Sequence, residues 1–310
     1  MQTRSTGIPC NDLNPSQLHR QLRDWNRQRL APRADSERWA QDLAEEYRMR
    51  LVEGAFVERE RHSIGQEVAR VPRDPDAFVA WFERLKKVGP GQGDALFPWL
   101  ASVATLAQMR WFLRQEVEGE AGFDDLVALT QVKLPIGPKL EMARNYWDEM
   151  GQGHRTGMHG PLLEDLAQAL ALRDEPTEPV WETLALGNLM IALATNRHYA
   201  YQSIGALGAI ELTAPGRAAL VNAGLRRLGL DGTVRRYYAL HATLDVHHSE
   251  AWNREVLRPL VASDGSVAPL IAEGALLRLR AGARCFDRYR RELHVEPVEH
   301  LQVEHLRTAV

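Results

Sequence analysis

Three residues able to bind a metal or move a proton fall close together in the run Tyr237-Tyr238-Ala239-Leu240-His241-Ala242-Thr243-Leu244-Asp245-Val246-His247-His248. His241, Asp245 and His248 stand at i, i+4 and i+7, so a helix would carry them on one narrow stripe. Leu240 and Leu244 flank that stripe, which turns it inward. Imidazole, carboxylate and imidazole on one inward face make half of a metal site. The plainer reading is a solvated polar face with incidental histidines, and His247, which points away from the stripe, fits that reading better. A second constellation lies in Asn145-Tyr146-Trp147-Asp148-Glu149-Met150-Gly151-Gln152-Gly153, followed by His159. A helix ending in two acids is stopped by two glycines, and a new helix is expected near Met158, so Glu149 and His159 can converge across the break. Carboxylates are unfavourable at the negative end of a helix dipole, which suggests a cation nearby.

Glu116, after Trp111-Phe112-Leu113, and Glu211, at the end of Ile204 to Ile210, are acids in apolar surroundings. Each could be an exposed helix residue. Buried and unpaired, each would cost several kcal/mol or take up a proton, and a metal removes that difficulty. Together with Glu149 and Asp245 they give four carboxylates, enough to neutralise two divalent ions, beside the imidazoles of His159, His241 and His248. Carboxylate-rich ligation with imidazole on bundle helices suits a site of two iron or manganese ions. The paired Glu-x-x-His motifs of ferritin-like proteins are absent, so a different helical frame must hold the site.

The elements that would do so are helices throughout. Period-two strand patterns are almost absent, and apolar residues recur at three- and four-residue spacing. Breakers are grouped at Gly89-Pro90-Gly91, Gly119 to Gly122, Pro135 to Pro138, Pro176 to Pro179, Pro215-Gly216, Gly229 to Gly232 and Asp264-Gly265. Between them lie helix-length segments, and an all-α fold follows. Residues 1–90 carry more charge and a modest apolar stripe, and are expected to form an N-terminal helical extension. Residues 91–310 then form the bundle core. Thr213-Ala214-Pro215-Gly216 is expected to stop a helix, and Gly205 and Gly208 to loosen residues 203–216 in the absence of metal.

Composition excludes other classes. Of 310 residues, 45% are hydrophobic and 25% charged, as in an ordinary globular chain. The 38 basic and 41 acidic side chains leave a formal charge of -3, so no nucleic-acid partner and no membrane-surface role is indicated. No unbroken apolar run approaches the ~18–20 residues of a membrane helix. The two cysteines, Cys10 and Cys285, cannot build a disulfide framework or a thiolate metal site. The opening MQTRSTGIPC lacks the apolar core of a signal peptide, and a cytoplasmic location is expected.

In order and spacing, the Asn145 to His159 run, Glu211 before Thr213-Ala214-Pro215, and His241-x3-Asp245-x2-His248-x3-Trp252 resemble the haem-oxygenase-like di-iron oxidases and oxygenases, also described as iron-containing redox enzymes. The resemblance spans about residues 95–262 and does not reach residues 1–90. It implies a haem-oxygenase-like seven-helix bundle without haem, two iron ions, and O2 as co-substrate. Carried over residue by residue, the ligands are Glu116, Glu149, His159, Glu211, His241, Asp245 and His248, with Glu118 and Glu120 standing close to Glu116. His241 is an additional imidazole found in part of the family, where the resemblance leans toward N-oxygenation. The implied substrate is small and amino-acid-like. The implied outcome is N-oxygenation, or C–H abstraction leading to desaturation, ring closure or C–C cleavage, in natural-product biosynthesis. Arg144, Arg197 and Arg236 are candidates to clamp a substrate carboxylate. An external electron donor and a homodimer are compatible with this reading. The alternatives are a metal-free helical small-molecule-binding protein on the same fold and an interaction scaffold built on the N-terminal helices.

Overall fold

The structure is a computed structural model that describes residues 14–34, 37–174 and 178–295. Every regular element among the described residues is helical. Four helices come first: α1 (Pro15–Leu30), α2 (Trp39–His62), the single turn α3 (Gly65–Val68) and α4 (Pro75–Val88). The remainder are α5 (Leu96–Ser102), α6 (Leu106–Gly119), α7 (Phe123–Thr130), α8 (Ile136–Glu149), α9 (His159–Ala169), α10 (Trp181–Thr195), α11 (Ala200–Arg227), α12 (Arg236–Ala251), α13 (Arg258–Ser263) and α14 (Ala268–Leu293).

Local sequence explains most of the starts. Asn14 and Gln17 form a reciprocal capping box at α1, where Pro15 occupies the first turn, and Thr105 with Gln108 does the same for α6. Asp74 accepts from the Ala77 N–H at the start of α4. Between α12 and α13, Trp252–Leu257 is wound as a π-helix directly after the histidine-bearing helix.

The long helix α11 runs through the centre and packs along α12 and α14, and α10 packs against α1, α6, α7 and α14. Leu18, Leu22 and Trp25 of α1 and Met49, Val52 and Phe56 of α2 belong to the same buried apolar cluster as Leu189 and Leu193 of α10. A second cluster gathers Phe97, Phe112, Leu163, Val221 and Tyr289. Residues Arg197–Arg227 are long and apolar enough to cross a membrane, with a mean hydropathy of 1.2 in an 18-residue window, but 67% of that window is buried inside the fold.

The expected stop at Thr213-Ala214-Pro215-Gly216 is not there: α11 continues through Pro215 to Arg227. Proline forfeits one i→i−4 hydrogen bond, here to the Glu211 carbonyl, but the neighbouring residues are held by tertiary packing. Gly205 and Gly208 lie within this continuous helix. A Cβ on Gly205 would lie 1.8 Å from the Ile271 carbonyl oxygen, and one on Gly208 would meet the Trp252 indole at 2.6 Å. These glycines let α14 and Trp252 approach the backbone of α11, and residues 202–209 are all buried.

Candidate metal centre

Asn145 and Glu149 sit one turn apart on α8 and face the interior together, both buried. The helix ends at Glu149 because Gly151 follows with φ +60°, a left-handed conformation. Gly151 is also pressed against the returning chain: an added Cβ would lie 2.5 Å from the Gly157 carbonyl carbon. Met150 and Met158 then pair in an isolated antiparallel bridge. This clamp closes residues 150–158 into a tight loop, and so brings His159, the first residue of α9, back onto Glu149.

The two oxygens of Glu149 face different partners. Its Oε2 lies 2.9 Å from His159 Nδ1 and 3.6 Å from His241 Nε2. Its Oε1 lies 3.6 Å from His248 Nδ1, and Glu211 Oε2 is 3.5 Å from that same nitrogen. Two groups result, Glu149 with His159 and His241, and Glu149 with Glu211 and His248, in each of which the ligand atoms lie within 4.8 Å of one another. All five residues are buried.

Neighbouring polar groups orient these side chains. His241 donates from Nδ1 to the Tyr237 carbonyl, one turn earlier on α12, at 2.7 Å, which leaves Nε2 as the lone-pair nitrogen. His248 Nε2 lies 3.3 Å from Asp148 Oδ2, which leaves Nδ1 for the cluster. Asn145 donates from Nδ2 to Glu211 Oε1 at 2.6 Å. Carboxylates and carbonyls behind a metal-bound histidine commonly play this part.

Electrostatics mark the cluster as incomplete by itself. Asp245, also buried, is pushed up to about 9 by burial and by the charges of Glu211 and Glu149. Burial pulls His248 down, but Glu211 and Glu149 outweigh it and raise the imidazole to about 9. His159 is likewise held well above its ordinary value by Glu120 and Glu149 despite burial. Protons therefore take the place of cation charge. Glu149 Oε1, Asp245 Oδ1 and His248 Nδ1 are nonetheless buried without a hydrogen-bond partner. Three orphaned acceptor or donor atoms within one carboxylate–imidazole set fit a metal centre.

Six of the seven ligands expected from sequence are gathered here, with Asp245 between His241 and His248 on α12. Glu116 is not. It lines the same cavity, where the charges of Arg278 and Arg217 act on it. The acid beside His159 is Glu120, whose Oε2 lies 3.5 Å from His159 Nε2. Glu120 follows the last residue of α6 and also accepts from the N–H groups of Gly122 and Phe123. Glu118 is turned away to pair with Arg27. Glu120 lies just past the end of α6, where it reaches the first residue of α9, whereas Glu116 sits one turn earlier within the helix.

The cluster forms one end of a cavity of about 170 Å³, lined elsewhere by apolar side chains including Phe97, Phe112, Leu163 and Val221. The arginines expected to clamp a substrate do not reach it. Arg144 is exposed and pairs with Glu141, and Arg236 is exposed at the start of α12. Arg197 donates to the carbonyls of Leu129 and Thr130 at the end of α7 and of Val132 just beyond it. The cavity arginines are Arg217 and Arg278. Arg217 could have been placed from spacing, since Glu211, Ala214, Arg217, Ala218 and Val221 follow one helical face; Asn145 and Tyr237, each four residues before a ligand, carry the same signal.

An all-helical bundle with a buried histidine–carboxylate cluster at one end of an apolar cavity defines a class of metal-dependent helical proteins. Residues 110–283 match the iron-containing redox enzyme family, and the chain belongs to that family. Its fold is similar to two crystal structures of a CADD-like protein of unknown function from Nostoc punctiforme PCC 73102, each 19% identical. One gives a TM-score of 0.53 and covers 71% of this chain and 96% of that one; the other gives 0.55 and covers 71% and 98%. The architecture is thus the haem-oxygenase-like helical bundle. No curated protein matches the chain.

Proposed function

We propose that this chain is an O2-dependent oxidoreductase with two iron ions, acting on a small amino-acid-like substrate held in the cavity. The observation that carries the reading is Glu149, whose two oxygens face two separate sets of donors, as a carboxylate shared between two metals requires. His159 and His241 would hold one ion, Glu211 and His248 the other, with Asp245 and Glu120 as further carboxylates. Iron bound there would supply the Lewis acidity and the electrons needed to activate O2. The rest of the work belongs to the protein. Tyr237 and Asp148 hold the imidazoles in the ligating tautomers, Asn145 fixes Glu211, and Phe97, Phe112 and Leu163 keep water from the reacting bond. N-oxygenation and C–H abstraction are both open to such a site, and an external donor would return the electrons between turnovers.

The test is O2 uptake by the ferrous protein against a panel of amino acids and related amines. Uptake should rise on adding one member of the panel and disappear in His248→Ala, with helicity by circular dichroism unchanged. A fully active His248→Ala protein would remove the assignment.

A further inference from the structure

The cavity has a second set of polar groups. Arg217 of α11 and Arg278 of α14 line it together with Glu116 of α6. Arg217 is anchored by its own helix: Nε donates to the Thr213 carbonyl at 3.1 Å and Nη2 to the Thr213 hydroxyl. Its guanidinium lies 5.8 Å from the centre of the Phe97 ring and 5.3 Å from that of Phe286. Arg278 is placed differently. Its Nη1 lies over Gly282, where an added Cβ would come within 2.8 Å, so the bare backbone one turn later makes the room the guanidinium occupies. Arg278 Nε is shut off from solvent and donates to nothing. Both guanidinium groups act on Glu116, which burial pushes up to about 7 despite their pull, and Glu120 acts on Arg278 as well. Arg217 is itself brought down to about 9 by burial and by the charge of Arg278. A buried guanidinium with an unpartnered N–H is costly unless a further acceptor arrives.

The geometry points to Arg217 and Arg278 as the subsite that binds the carboxylate of the substrate, with its apolar body lying along Phe97, Phe112 and Val221 and its far end at the histidine–carboxylate cluster. This rests on the oxidoreductase reading above for its purpose but not for its chemistry. Planar guanidinium groups bind carboxylates through paired charge-assisted hydrogen bonds, and the unpartnered Nε supplies one donor of such a pair. The substrate class narrows accordingly to organic acids with an aliphatic or aromatic body. Bodies small enough to fit about 170 Å³ would present the carbon or nitrogen farthest from the acid to the metal end.

Octanoate and octanamide separate the charge from the body. Calorimetric titration of the full chain with each, anaerobically, before and after ferrous loading, should give about tenfold tighter binding of the acid in both states. Arg278→Gln and Arg217→Gln should each abolish that preference while leaving iron uptake and the weaker amide binding unchanged. Gly282→Ala keeps both charges but displaces the Arg278 guanidinium, and should reduce the preference as well. A merely structural pair would shift melting temperature without moving the acid-to-amide ratio. Equal binding of acid and amide by the wild type, no binding of octanoate, or a preference that survives both arginine variants would overturn the assignment. So would loss of iron in those variants, which would make the arginines part of the metal centre. Wild-type protein that takes up no iron yet prefers the acid would instead overturn the two-iron reading and leave this one standing.

Discussion

Two buried polar assemblies lie in this bundle, and they are built on opposite principles. The first joins α1, α2 and α10. Glu53 accepts from Arg29 at 2.7 Å through one oxygen and from Arg50 at 2.8 Å through the other. Arg29 also donates to Asn26, Asn26 to Asn188, and Asn188 to the His19 carbonyl. Each of those groups has a partner from the chain itself, and the Arg29 guanidinium stacks 3.9 Å over the centre of the Trp25 ring. The second is the cluster around Glu149, where acids crowd acids, imidazoles hold protons above their ordinary range, and buried oxygens are orphaned. A polar network closed by its own chain fixes structure. One left open by the chain awaits something else.

Breaking each assembly should therefore have opposite consequences. Glu53→Ala leaves Arg29 buried without its anion, and should cost about 3–5 kcal/mol of stability in urea unfolding. Its iron capacity should be unchanged. Loss of iron with little loss of stability would reverse the comparison.

Acid should act on the first region through His19, which stacks on Trp181 and is brought from 6.5 to about 4 by burial and by the charges of Arg284 and Arg59. Above pH 6.5 both folded and unfolded chains hold it neutral, and no effect arises. Between 6.5 and about 4 the unfolded chain takes a proton that the folded chain refuses, so stability falls as pH falls. The loss totals about 3 kcal/mol by pH 4. His19→Gln should flatten that part of the stability–pH curve, and an unchanged slope would show that other groups set it.

Asp245→Asn should have the smallest effect on the metal-free protein. With its carboxyl pushed up to about 9, Asp245 is already neutral at pH 7, so the amide should change stability by less than about 1 kcal/mol. Iron affinity should fall sharply, because an amide supplies no charge. Marked destabilisation of the metal-free variant would assign Asp245 a structural role like that of Glu53.

The contrast also explains what could be read from sequence. The stripe of His241, Asp245 and His248 and the glycine-stopped helix before His159 are local patterns, and local geometry carries them. Glu53 gave no signal, because its partners Arg29 and Arg50 are supplied by helix packing that periodicity does not specify. Glu116 and Glu120 stand four residues apart, and periodicity does not tell which of them approaches His159; the approach of α9 brings Glu120 there. Pro215 reads as a stop because proline propensity is local, whereas the packing of α11 against α14 and Trp252 is not. The arginine pair gives no local signal for the same reason: Arg278 enters the cavity from α14, far along the chain from Arg217.

The central claim is that Glu149 joins two metal positions. Anaerobic ferrous loading followed by iron analysis tests it most directly. Wild-type protein should hold close to two irons per chain, and Glu149→Ala, which removes the one residue common to both donor sets, should lose both while remaining folded. One iron or none in the wild type, or a Glu149→Ala protein that retains both, would contradict it.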